Sequence, residues 1–478
     1  MIDKFEHKGL WFLPSNTERK IHGILKYDYQ NNINVLELIG SFYDFASEKS
    51  GKENIILGIT TDDVDITLVD CRFSSSSGIP RNDSSKFKNR RESALATLNF
   101  NVTSILKGEH IFKQENLKFQ KGYAKIFNLD EWVGVSGFEE DFDYTESTKT
   151  ILYKTLEPIN VKINDDVDME IKFVTNNPMP SGFTKELTLS QYTILSFHSE
   201  KYFTLEEFMS LLRKFNRFLT TSLQNPVRIE RIELYSDQFC KVIFEDYKDI
   251  KCINLYQIIN SELKFEKRKQ ESEMLFTYDD IKNDFEKIIK KWFSNYEKFE
   301  ASFNLVLSQF YISQYYLESL FINTVQAAES FHRKLEIGND MPKTQQDNEH
   351  NEKLRRVIES APEDLKKWIE SQIPRPPKHY LGTRLEYLFE NFSNEELNVM
   401  IGNKEKFIKE ITKSRQYYTH YNTDNRKDAL DGVELIDLYL RLRLLIICGF
   451  LIETGFEKTL LEKLIKEKAY NMFRDLMS

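Results

Sequence analysis

The segment KSRQYYTHYN (413–422) places Arg415 and His420 five positions apart among Tyr417, Tyr418 and Tyr421. A histidine with an ordinary pKa near 6.5 can take the proton of a ribose 2′-OH, which then attacks the adjacent phosphate. A guanidinium can stabilise the charge that builds on the phosphoryl oxygens. Neutral tyrosine rings can stack unpaired bases, and lysines can hold the backbone. The set therefore points to metal-free RNA cleavage, with Arg415 and His420 as the catalytic pair. Lys413, Gln416, Tyr417, Tyr418, Tyr421 and Asn422 are candidate RNA contacts. Spacing alone is weak, because 20 arginines and 8 histidines yield about one such pair by chance. Context raises it: this is the only R-x(4–6)-H in the chain, and between 403 and 427 seven Lys or Arg face three acids. On a straight helix, positions five apart point about 140° from one another. The pair converges if the helix ends between them or if two chains meet, and a two-fold dimer would satisfy the second condition.

Those residues need a scaffold, and the chain is long enough to build one. At 478 residues, 40% hydrophobic and 13% aromatic, with only 17 Gly and 11 Pro, it reads as several folded domains. Cys71, Cys240, Cys252 and Cys448 lack any C-x-x-C spacing, which excludes a zinc ribbon or disulfide framework and predicts a reducing compartment. Charges interrupt the N-terminal apolar residues, and the longest late apolar run, 444–452, is too short to span a bilayer. A cytoplasmic protein without membrane contact is expected. The net charge of −9 confines any nucleic-acid contact to a local patch.

Up to about residue 200, period-two runs such as 34–42, 54–73, 93–106 and 168–176 alternate with turns. The fold class expected is α+β multidomain. Its first domain, 1–276, is β-rich and sandwich- or jelly-roll-like, closed by an α+β element with a helix at 204–223 and a strand at 228–236. Its second, 277–478, is all-α: one helix from about 277, a long second helix carrying Phe303 to Leu335, a polar loop at 337–353, and helices near 383–391, 403–418 and 429–454.

The segments QAAESFHRKL (326–335), SRQYYTHYN (414–422) and DLYLRLRLLIICGFLIETGF (437–456) resemble the HEPN domain (higher eukaryotes and prokaryotes nucleotide-binding) of ApeA-type bacterial antiphage proteins. More weakly, GLWFLP (9–14) followed by HGILKYD (22–28) looks like the opening of the ApeA N-terminal domain. The resemblance implies a homodimeric, metal-independent HEPN ribonuclease that takes no cofactor and acts on RNA, with tRNA one candidate. It implies an N-terminal domain that senses infection, a phage protein being one candidate trigger, and a toxin-like activity that halts growth. HEPN motifs commonly carry Asn, Asp or His after the Arg, where this chain has Gln416. That departure keeps open a non-catalytic RNA- or ligand-binding protein whose HEPN bundle serves as a dimeriser.

Glu329 and His332, at i and i+3, share a helical face that could form half of a di-iron site, but no second E-x-x-H exists and no metal is expected. The resemblance suggests a supporting role for both beside Arg415 and His420; a local Glu329–Arg333 contact is the plainer alternative. The basic stretch RNDSSKFKNRR (81–91) could touch phosphate or simply be solvated. The absence of G-x-x-x-x-G-K-[ST], H-E-x-x-H and G-x-S-x-G argues against an NTPase, metalloprotease or α/β-hydrolase.

Overall fold

Alternating burial along the early strands puts one side of each in the core. In Ile33–Ile39, Asn34, Leu36 and Leu38 point inward and the residues between them outward. The computed structural model describes residues 4–43, 51–77, 97–176, 188–244, 247–259, 267–311, 316–335, 345–372, 380–421 and 423–469. It divides into two compact units, Met1–Lys290 and Lys291–Ser478. The stretch 81–91 and Asn422 lie outside the described residues.

In the first unit the strands are β1 (Lys4–Leu13), β2 (Asn16–Asp28), β3 (Ile33–Ile39), β4 (Lys52–Thr60), β5 (Asp65–Ser77), β6 (Thr97–Lys107), β7 (Lys118–Ile126), β8 (Phe138–Asp143), β9 (Thr148–Tyr153), β10 (Ile159–Lys162), β11 (Val167–Thr175), β12 (Gln191–Thr204), β13 (Ile229–Tyr235), β14 (Cys240–Phe244), β15 (Tyr247–Ile250) and β16 (Ile253–Tyr256). β8–β9 and β14–β15 are separate hairpins. The other twelve form one antiparallel sheet in the order β10-β11-β12-β7-β13-β16-β6-β3-β2-β1-β4-β5. A further β5–β6 pairing closes β6-β3-β2-β1-β4-β5 into a six-stranded barrel, and the remaining strands run off β6 as an open arm. The first domain is thus β-rich as its alternation predicts, but its strands lie in one partly closed sheet rather than two facing ones. Trp11 fills the barrel beside Leu25, Leu36, Ile56, Leu68 and Phe100. It fits because Gly58 and Gly23 face it: a Cβ there would come within 2.3 Å and 2.8 Å of its ring carbons.

β6 is the hinge of this topology. One edge pairs with β5 from Lys107 to Thr97. Its other edge serves two strands, β3 through Thr97–Asn101 and β16 through Ile105–Lys107, so the sheet forks between them.

The helices are α1 (Leu129–Val133), α2 (Leu205–Leu223), α3 (Tyr278–Ile281), α4 (Phe285–Leu307), α5 (Leu317–Lys334), α6 (Gln345–Ser360), α7 (Glu363–Gln372), α8 (Leu381–Phe392), α9 (Glu395–Ile401), α10 (Lys404–His420), α11 (Gly432–Glu453) and α12 (Lys458–Leu464). The Thr204–Glu207 capping box starts α2, whose Phe208 packs onto the arm at Gly122; a Cβ there would sit 2.2 Å from that ring. The division between the units falls within α4, beyond the 276/277 boundary read from sequence.

In the second unit α11, apolar on nearly every side, is the central helix, packed by α5, α8, α9 and α10. Its Phe450 meets Phe303 at 4.5 Å and Phe331 at 5.0 Å, and Gly449 admits the Phe331 ring. Two helical expectations change. The single long helix from Phe303 to Leu335 is broken, because α4 stops at Leu307, a 3-10 turn follows at Ser308–Tyr311, and α5 starts at Leu317. The expected polar loop at 337–353 is helical from Gln345 on; α6 has few apolar residues but carries i,i+4 ion pairs such as Glu352–Arg356 at 2.6 Å.

Candidate functional site

Arg415 and His420 both lie on α10, which Asn403 caps by accepting a hydrogen bond from the Lys406 backbone N–H at 2.7 Å. Phe407, Ile411, Ser414 and Tyr418 recur at 4, 3 and 4 residues and form the buried stripe that docks the helix. Ser414 Oγ accepts the Leu430 N–H at 3.1 Å, and Tyr418 OH donates to the Leu430 carbonyl at 2.8 Å, so this stripe clamps both backbone groups of Leu430. Arg415 sits on the flank of the stripe, half-buried, and His420 is exposed on the opposite side. The helix continues through His420 and ends at Tyr421, whose φ of 50° is left-handed. It therefore does not end between the two residues, and within one chain their side chains diverge by about 140°. Among the described residues neither has a side-chain hydrogen bond or ion pair.

The tyrosines around them are not equivalent. Tyr417 packs edge-on against Tyr418 (5.0 Å) and Tyr421 (5.5 Å), and Arg426 covers it at 5.4 Å. Tyr418 is buried, with its hydroxyl used by Leu430, and burial pushes its pKa up, so it offers no open face to a base. Tyr421 is 63% exposed and Gln416 is exposed.

The basic patch is smaller than its count over 403–427 implies. Lys404 reaches Glu390 at 3.0 Å, Lys406 pairs with Glu410 at 3.6 Å, Lys413 with Asp428 at 3.5 Å, and Arg426 with Asp431. Glu390, Asp428 and Asp431 lie outside that window. Lys409, Arg415 and Lys427 have no ion pair among the described residues. Exposed pairs of this kind are worth about 0–1 kcal/mol, so a phosphate could displace them at little cost.

Glu329 and His332 make contacts of their own on α5. Glu329 pairs with Arg333 at 3.7 Å, the local contact that the spacing allows. His332 is 1% exposed; the Arg384 guanidinium donates to its Nδ1 at 3.1 Å, and Tyr387 meets the ring edge-on at 5.1 Å. Because Arg cannot accept a hydrogen bond, a hydrogen bond across this contact puts the lone pair on Nδ1. Burial and then Arg333 lower the Arg384 pKa, while Glu329 opposes them. The cluster ties α5 to α8. Eleven residues of α5, about 16 Å of helix rise, separate His332 from Phe321, where Tyr418 packs at 6.4 Å. Among the described residues no three His, Cys, Asp or Glu side chains are grouped to hold a metal.

The sequence reading missed Arg384 and the Leu430 clamp. The i,i+4 spacing of Ser414 and Tyr418 could have signalled a shared target, whereas nothing linear links Arg384 to His332.

With this geometry in place, residues 6–292 match ApeA N-terminal domain 1 and residues 322–460 match the Apea-like HEPN family. The chain belongs to the ApeA family, with a C-terminal HEPN domain that contains Arg415 and His420. Together the two matches support an antiphage effector carrying a HEPN domain. No curated protein and no solved structure matches it. Among the described residues no helix is long and apolar enough to cross a membrane.

Proposed function

We propose that this protein is a cytoplasmic, metal-independent RNA endonuclease in which residues 1–276 sense infection and residues 277–478 cleave RNA as a homodimer and halt growth. The observation that carries the reading is the pair Arg415 and His420: without partner side chains among the described residues, on the surface of α10, inside the HEPN-matched segment. Its geometry favours a dimer, because residues about 140° apart on one helix serve one phosphate only when a second copy contributes. In such a cleft His420 takes the 2′-OH proton as the O2′–P bond forms and the P–O5′ bond breaks. Arg415 of the second copy stabilises the phosphoryl oxygens, and the imidazolium so formed returns its proton to the departing 5′ oxygen. The products are a 2′,3′-cyclic phosphate and a 5′-hydroxyl. Lys409, Lys413, Gln416 and the exposed Tyr421 hold the strand.

Incubating the purified protein with total RNA and a tRNA pool in EDTA tests this. The wild type should leave 2′,3′-cyclic ends, and Arg415→Ala and His420→Ala should each lose about 10²–10⁴-fold in rate with an unchanged circular dichroism spectrum. Full cutting by both variants would remove the assignment. Gln416 favours a second reading, an RNA-binding scaffold without catalysis, which should shift RNA on a gel and leave it whole.

A further inference from the structure

The fork of the sheet at β6 encloses a cavity of about 520 Å³, within the ~300–1,000 Å³ range of small-molecule sites. Its walls come from β2, β6, β7, β13 and β16, so it lies where barrel and arm part. Tyr27, Tyr29 and Tyr256 form an aromatic side. Two of these rings are fixed by their hydroxyls, which donate to the carbonyls beyond β16: Tyr27 to Gln257 at 3.2 Å and Tyr29 to Ile259. Tyr256 is held edge-on against Tyr27 at 5.5 Å and Phe5 at 5.0 Å. Gln257 in turn donates to Ser104 at 2.6 Å, within the fork of β6.

The polar side carries excess positive charge. Lys107, Lys125 and Arg231 line the cavity against one carboxylate, Glu230. That carboxylate is shared, 3.7 Å from Lys125 and 3.7 Å from Arg228 outside the lining. Lys107 faces His7 at 3.3 Å and has no ion pair among the described residues. Arg231 meets Glu233 through Nε at 3.1 Å and is half-exposed. An apolar occupant would leave Lys107 desolvated and uncompensated, whereas a small anion would neutralise it and could share the outward face of Arg231.

We propose that this cavity is a binding site for a small anionic ligand with a flat ring, of the class of a nucleoside monophosphate, its ring against the half-buried Tyr256 and its phosphate against Lys107 and Arg231. The site does not depend on the nuclease reading, and a ligand in it would join the barrel to the arm. Isothermal titration of the full-length protein with AMP, GMP, CMP and UMP tests it, with adenosine and inorganic phosphate as half-ligands. At least one monophosphate should bind at least tenfold more tightly than either half-ligand. Lys107→Met and Arg231→Met should each weaken that binding at least tenfold with the melting temperature kept, while the distant exposed Lys149→Met should not. Binding by none of the four monophosphates, equal binding of inorganic phosphate alone, or affinity unchanged in both variants would overturn the proposal.

Discussion

Side chains adjacent on α10 have separable tasks. Tyr418 is structural, with its ring against Phe321 and its hydroxyl on Leu430. Tyr418→Phe should therefore lower stability by about 0.5–1.5 kcal/mol in denaturant titration and leave RNA affinity unchanged. Tyr421 is solvent-facing, with no side-chain hydrogen bond among the described residues. Tyr421→Ala should shift stability by less than about 0.5 kcal/mol, and should weaken single-stranded RNA binding by about 1–3 kcal/mol if the ring stacks a base. An opposite result for the two tyrosines would reverse their roles. Residue types and spacing made Arg415 and His420 legible in the sequence. The partners that reduce the patch around them were not, because Glu390, Asp428 and Asp431 come from outside the window that defined it.

Elements were legible wherever burial imposes a period. The alternation of β3, β11 and β13 and the apolar stripe of α10 follow directly from which residues are hydrophobic. Closure of the barrel was not legible, since a barrel and a sandwich demand the same alternation and differ only in whether β5 finds β6. The break before α5 was hidden because apolar residues continue at helical spacing on both sides of it, and α6 was hidden because ion pairs rather than an apolar face support it. Where an element's position depends on close approach, a single methyl should report it. Gly122→Ala, whose Cβ would meet the Phe208 ring, should cost about 1–3 kcal/mol. Phe208→Leu should recover part of that loss, seen as non-additivity in a double-mutant cycle; strict additivity would mean that α2 does not rest on β7 there.

For the whole molecule, the proposed composite site makes a prediction that no single chain can satisfy. If each cleft takes Arg415 from one copy and His420 from the other, co-expressing Arg415→Ala with His420→Ala should regenerate one intact cleft in every mixed dimer. Random pairing then restores about a quarter of wild-type cleavage. If each chain instead builds its own site, the mixture stays as inactive as either variant alone.

The fork at β6 bears on how the first unit comes apart. A strand whose one edge is shared by the barrel and the arm cannot be released from either without loosening both, so the two should melt as one cooperative body. In native-state hydrogen exchange, the amides of Val102 to Leu106 should be among the slowest, opening with the global free energy. The terminal strand β10, only four residues long and paired on one side, should open at far lower cost.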